Sequence, residues 1–129
     1  MDRQGKGDIE VKVIIAGSRG ITRYSLVEKA VVASKFTITQ VVSGGARGVD
    51  QLGIKWAKRN DVRFIIMPAA WMTLDGEYNP KAGFERNERM ADYADALIAV
   101  WDGFSGGTKH MMQCMGKRAK PIYYIDLDL

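Results

Sequence analysis

Three stretches of this 129-residue chain combine glycine with hydroxyl or charged side chains in the pattern of an oxyanion cradle. They are Gly17-Ser18-Arg19-Gly20, Gly44-Gly45-Ala46-Arg47-Gly48-Val49-Asp50 and Asp102-Gly103-Phe104-Ser105-Gly106-Gly107-Thr108. Glycine lets backbone N–H groups approach an anion closely, and a helix starting after such a loop adds the positive end of its dipole. Arg19 and Arg47 add forked donors suited to phosphate or carboxylate. Ser18, Ser43, Ser105 and Thr108 add hydroxyls. The plain alternative for any one loop is turn geometry, since short strand-to-helix connections need glycine whatever they bind.

Other chemistries are excluded by residue type. One cysteine rules out an internal disulfide framework and a zinc site built on several cysteines, and one histidine rules out multi-histidine metal sites. No metal and no cofactor are therefore expected. No G-x-x-x-x-G-K-[ST] occurs, and no G-x-G-x-x-G follows the first strand, so neither a P-loop nor a conventional dinucleotide fingerprint is present. His110 and Cys114 share a helix face at i, i+4, but no third group orients them as a catalytic pair, so packing or solvent is the expected role of both.

Positioning the glycine-rich loops takes a specific alternation of elements. Val11–Ala16 is a β-branched run stopped by Gly17 and predicts a buried strand. Tyr24–Phe36 carries Leu26, Val27, Ala30, Val31 and Ala33 at helical spacing. Ile38–Ser43 predicts a second strand, Val49–Asn60 a second helix and Arg63–Met67 a third strand. Asn79-Pro80 reads as a helix start running to about Tyr93. Ala96–Trp101, a helix from about Thr108 to Arg118, and Pro121–Asp126 complete the series. The strands are apolar runs, as expected when both faces are covered. The fold class is α/β: a single doubly wound parallel sheet of about five strands in the order 3-2-1-4-5, with helices on both faces.

In such a sheet, ligands bind beyond the carboxyl ends of the strands, at the switch point between strands 1 and 4. The three glycine-rich loops follow strands 1, 2 and 4 and so meet on that edge, which points to a phosphorylated ligand of nucleotide type. The longest loop, 69–77, carries Trp71, which either stacks on a base or closes the sheet edge. Trp56 and Trp101 are expected in the core, and Lys55, Lys58 and Arg59 on a solvated helix face.

Residues 1–60 carry 11 Lys/Arg against 5 Asp/Glu, and the remainder 8 against 10, for a net charge of +4. That balance suits a small anionic ligand better than a polyanion. Residues 1–10 are polar and expected to form a flexible N-terminal segment, with 11–129 as one domain. No apolar run approaches the roughly 20 residues that span a bilayer, and no signal core is present, so a cytoplasmic protein without a membrane partner is expected.

Four motifs, in order from about Val11 to Ile125, resemble the YspA/YpsA-related branch of the SLOG superfamily. They are Gly17-Ser18-Arg19, Gly44–Asp50, Ala82-Gly83 with Arg86-Asn87 and Met90, and Trp101-Asp102-Gly103 with Ser105 and Gly107-Thr108. The superfamily also includes the LOG phosphoribohydrolases and the DNA-processing proteins of natural transformation. The resemblance implies a Rossmann-like sheet that binds a nucleotide or nucleotide-derived ligand, such as an ADP-ribose derivative, in the glycine-rich crevice. It also implies a homo-oligomer. Met111, Met112 and Met115 are expected in the core or in a dimer seam.

The resemblance breaks at one catalytic position. LOG enzymes carry P-G-G-x-G-T-x-x-E, and here the glutamate's place falls on Met111, which cannot exchange a proton. His110 lies one residue early, about 100° around a helix. Arg86 is the counterpart of the LOG arginine. Asp50 and Asp102 remain as acid/base candidates, although an aspartate after such a loop more often caps a helix or holds a ribose hydroxyl.

The expected ligand-binding set is Gly17, Ser18, Arg19, Gly44, Gly45, Arg47, Gly48, Asp50, Trp71, Arg86, Asn87, Asp102, Ser105, Gly106, Gly107 and Thr108. The first functional expectation is nucleotide binding in the crevice. The alternatives are a nucleoside-phosphate N-glycosidase with an altered acid/base, and a binder of single-stranded nucleic acid.

Overall fold

The computed structural model describes residues 11–127, so the expected N-terminal segment 1–10 lies outside the described residues. The elements run β1 (Lys12–Gly17), α1 (Tyr24–Ser34), β2 (Gln40–Ser43), α2 (Val49–Arg59), β3 (Arg63–Ile66), α3 (Ala82–Tyr93), β4 (Ala96–Trp101), α4 (Gly106–Lys117) and β5 (Ile122–Asp126). Every strand pairing is parallel and the sheet order is β3-β2-β1-β4-β5. This is the doubly wound α/β sheet that the alternation of apolar runs and helical patterns predicts.

Successive side chains of a strand point to opposite faces, and β1 uses this to feed two cores. Val13 and Ile15 join Val27 and Ala30 of α1 and Val49 and Ala57 of α2 on one face. Ile14 and Ala16 join Met90 and Ala91 of α3 and Met111 and Met115 of α4 on the other. Burying each large aliphatic side chain stabilises the fold by about 1.5–3 kcal/mol. The central strands β1 and β4, buried on both faces, therefore anchor the sheet. The edges depart from the expectation of two covered faces. Arg63 and Ile66 of β3 and Tyr124 of β5 are exposed, because an edge strand has one neighbour and less helix over it.

Two helix starts also differ from the sequence expectation. Asn79 Oδ1 accepts from the Lys81 amide at 3.0 Å and the Asn79 carbonyl from the Ala82 amide at 3.2 Å. These bonds form a turn, so α3 starts at Ala82 rather than Pro80. Helix α4 starts at Gly106, ahead of Thr108, because Ser105 is its N-cap and its side chain accepts from the Thr108 amide at 3.5 Å. Met111 and Met115 are fully buried, so they are core and cannot form a seam between copies.

The order of strands reverses between β1 and β4, which run parallel but lead to helices on opposite faces, and Gly17 stands at that point. A Cβ on Gly17 would lie 2.0 Å from the Val100 carbonyl oxygen, so only glycine lets the end of β1 come this close to β4. The next amide, of Ser18, donates to the same carbonyl at 3.1 Å.

Candidate functional site

A cleft opens at this switch point. Its walls are Gly17 and Arg19 after β1, Gly44 and Ala46 after β2, Asp50 at the start of α2, Arg86 and Asn87 of α3, and Ser105, Gly107 and Thr108 at the start of α4. Ala16, Met90 and Met111 form an apolar floor. The cleft is open at its mouth and encloses about 90 Å³, less than the roughly 300–1,000 Å³ of whole small-ligand sites, so it has room for one end of a ligand.

The two helix N-termini at the cleft are electrostatically unlike. Helix α2 carries Asp50 in its first turn, and this carboxylate offsets the positive end of the helix. Helix α4 has no acidic residue in its first turn. Its opening amides lack intrahelical acceptors by the geometry of any helix start. The hydroxyls of Ser105 and Thr108 sit beside them, 3.2 Å apart.

Asp50 is 7% exposed. Its Oδ2 accepts from the Ala46 amide at 3.1 Å. Burial pushes its carboxyl up to about 6, against the lowering influence of the Ala46 amide, Arg86, Arg19 and the Gly17 amide. A carboxyl near neutrality can give or take a proton at physiological pH.

Arg86 and Asn87 brace the cleft. Arg86 Nη1 donates to the carbonyls of Gly44 at 2.9 Å and Met67 at 3.2 Å, and its Nε to Asn87 Oδ1 at 3.1 Å. Burial lowers the Arg86 pKa while Asp50 raises it, and a guanidinium remains charged under such shifts. Asn87 Nδ2 donates to the Gly107 carbonyl at 3.3 Å and lies 3.2 Å from His110 Nδ1, joining α3 to α4. A Cβ on Gly44 would lie 2.7 Å from Arg86 Nη1 and 2.9 Å from Asp50 Oδ2, so the glycine makes room for both.

The other expected residues lie elsewhere. Ser18 is buried behind the cleft, and its Oγ accepts from the Asp102 amide at 2.9 Å. Asp102 Oδ1 accepts from the amides of Phe104 at 2.8 Å and Ser105 at 2.9 Å, and these bonds hold its carboxyl below the usual range. Asp102 therefore shapes the turn before α4, and of the two acid/base candidates only Asp50 is on the cleft wall. Gly45, Arg47 and Gly48 form the turn into α2 off the wall, and Gly106 is likewise off it. Trp71 stacks on Tyr78, ring centroids 6.1 Å apart and 6° from parallel, beside an antiparallel bridge between Met72 and Tyr78. It is not on the wall either. Sequence reasoning missed the apolar floor, because Met90 reads as an ordinary core position. Met111 gave one signal: it stands where LOG enzymes carry their glutamate, and it faces the cleft as a thioether.

Glu88, His110 and Cys114 place ligand-type atoms within 4.8 Å of one another between α3 and α4. Glu88 binds Lys117 at 2.9 Å and Arg118 at 2.8 Å, and these bonds bring its carboxyl down to about 2. Burial pushes the Cys114 thiol up and the His110 imidazole down, and the ring of Phe84 stacks on His110 at 4.1 Å. A cation here would have to displace Lys117 and take a proton from a buried thiol. Among the described residues, no helix is long and apolar enough to cross a membrane.

Residues 11–73 match the model of the YspA, cpYpsA-related SLOG family, which bears out the SLOG resemblance of the glycine-rich motifs. The uncharacterized SPbeta prophage-derived protein YoqJ of Bacillus subtilis (strain 168) is 32% identical over 62 aligned positions, covering 42% of this chain and 36% of that protein. Among solved structures, DNA processing protein A from Helicobacter pylori superposes with a TM-score of 0.67 at 21% identity, over 92% of this chain and 66% of that one. That structure is described for its single-stranded DNA binding mode. DprA from Streptococcus pneumoniae superposes with a TM-score of 0.70 at 16% identity, over 92% of this chain and 50% of that one. The chain thus spans about a third of the curated relative and between half and two thirds of the solved ones. At these identities the structural likeness is one of fold.

Proposed function

From a SLOG-like sheet whose cleft holds one helix N-terminus free of acidic residues, we infer that this protein binds a nucleotide or nucleotide-derived ligand through its phosphate. The observation that carries the reading is the contrast between α4, with no acid in its first turn, and α2, offset by Asp50. The phosphate takes the Gly107 amide and the Ser105 hydroxyl, which accepts from Thr108 and keeps its own proton to donate, with Arg19 and Arg86 as counter-charges. Asp50 accepts a ribose hydroxyl.

A thermal-shift screen with nucleoside mono-, di- and triphosphates, NAD and ADP-ribose tests this. Ligand at about 100 times its dissociation constant stabilises a fold by about 2.7 kcal/mol, a shift of roughly 10 °C for a domain of this size. Arg19→Ala should remove most of that shift. Chromatography of the same mixtures reads the enzymatic alternative: release of free base would make Asp50 an acid/base at an N-glycosidic bond. No shift with any ligand would contradict the reading.

A second reading is single-stranded DNA binding. It is favoured by the fold shared with the Helicobacter pylori protein, whose structure is described for that activity. It predicts retention by oligonucleotides that falls linearly, on logarithmic axes, with salt.

A further inference from the structure

We infer that the cleft is charge-matched to a phosphodiester and discriminates against a terminal phosphate dianion, with Asp50 as the specificity-determining residue. This rests on the phosphate reading above and specifies the chemistry of its ligand.

Among the described residues, the charged side chains on the cleft wall are Arg19, Asp50 and Arg86. Arg86 faces Asp50 from α3 and Arg19 from the loop after β1, and the Ala46 and Gly17 amides complete its surroundings. His110, behind Asn87, has its pKa lowered by burial and adds no charge near neutral pH. Asp102 spends its carboxylate on the Phe104 and Ser105 amides. With Asp50 ionised, the wall carries two positive charges and one negative. A phosphodiester, with a single negative charge, balances it.

A terminal phosphate at alkaline pH brings a second negative charge. The excess falls in a site where Asp50 is 7% exposed and water screens poorly. The dianion then repels Asp50, and the repulsion ends when one proton is taken up, by Asp50 or by the phosphate itself, whose second pKa is also about 6. Burial has already moved Asp50 up to about 6, so that proton is available near neutrality. A diester binds without proton uptake; a terminal phosphate binds with it. The same carboxylate that offsets the dipole of α2 thus sets which phosphate enters beside α4.

The test is calorimetry at about pH 8, where the terminal phosphate is a dianion, with two probes of equal base and sugar: adenosine 5′-monophosphate and its phosphate methyl ester. The ester should bind the wild-type protein roughly tenfold more tightly, the effect of one like-charge contact in a partly screened site. The monophosphate, and not the ester, should take up a proton from buffer. In Asp50→Asn the order should reverse, since the wall then carries two uncompensated positive charges. Asparagine keeps an acceptor for the Ala46 amide, and the wild-type ratio decides the matter even if the variant does not fold. Equal or tighter binding of the monophosphate to wild type, or an unchanged ratio in Asp50→Asn, overturns this inference and leaves the phosphate reading standing. Binding of neither probe overturns both. Both a small nucleotide diester and a nucleic-acid strand supply the matched charge, and competition by an oligothymidylate of about 12 nucleotides separates the two sources.

Discussion

Arg86 holds two strand ends at once: its Nη1 donates to the Gly44 carbonyl at 2.9 Å and to the Met67 carbonyl at 3.2 Å. The loops after β2 and β3 therefore share one guanidinium nitrogen, while Nε of the same fork donates to Asn87 Oδ1 at 3.1 Å. Arg86→Met should lower stability by about 1–3 kcal/mol, because part-buried carbonyls lose a charged donor. Urea unfolding reads this as an earlier midpoint at unchanged slope. A midpoint equal to wild type would mean that the loops stand without it.

Asp50 makes stability depend on pH with a definite sign. Its carboxyl is raised from 3.8 to about 6 by burial, so the folded protein holds the proton more tightly than the unfolded chain. This contribution is fully present below the unfolded value of 3.8 and is lost as pH rises through about 6. The loss is about 2–3 kcal/mol. Asp50→Asn should therefore gain on wild type steadily between those two pH values and stay ahead at neutrality. Glu88 titrates in the opposite sense and in a lower window, from 4.5 to about 2. The difference between wild type and variant isolates Asp50, and a constant difference across the window would refute the assignment.

Gly17→Ala places a methyl group 2.0 Å from the Val100 carbonyl oxygen, where neither backbone can yield without breaking the β1–β4 ladder. Loss of more than about 2 kcal/mol is expected, as for other overpacked core sites. Chemical denaturation checks it, and a wild-type midpoint would show that the two strands can separate at this end.

Ser105→Ala removes the N-cap of α4. The bond to the Thr108 amide is long, at 3.5 Å, so the cost should sit at the low end of capping effects, about 0.5–1 kcal/mol. Phosphate-ligand affinity should fall by more than this, since Ser105 also lines the cleft. Parallel thermal melts with and without nucleotide separate the two effects; equal losses in both would remove Ser105 from the ligand site.

The sheet is readable because the central strands are apolar runs, as in Ala96–Trp101, and the loops after β1, β2 and β4 are marked by glycine, that after β3 by Pro68. The start of α3 was misread because Asn79 and Pro80 satisfy the helix-start pattern while forming a turn. Within the site, Arg19 and Arg47 occupy similar glycine-rich loops and look alike in sequence. Arg19 lies on the cleft wall and Arg47 off it, a difference that only the folded positions of the two loops show. Asp102 resembled Asp50 for the same reason, until its two backbone partners marked it as a turn residue. The raised pKa of Asp50 depends on burial, which prevails over the lowering influence of Arg86 far away along the chain, and no local pattern encodes that balance. A loop tryptophan such as Trp71 suits stacking on a base or closing the sheet edge, but its stacking partner is Tyr78, seven residues on.

The most direct test of the cleft is a titration of nitrogen-15-labelled protein with the methyl ester of adenosine 5′-monophosphate, followed by amide chemical shifts. The largest changes should fall on Gly106, Gly107 and Thr108, with Arg19 next. Changes confined to the outer face of α2, at Lys55, Lys58 and Arg59, or no changes at saturating ester, would contradict a phosphate site at the start of α4.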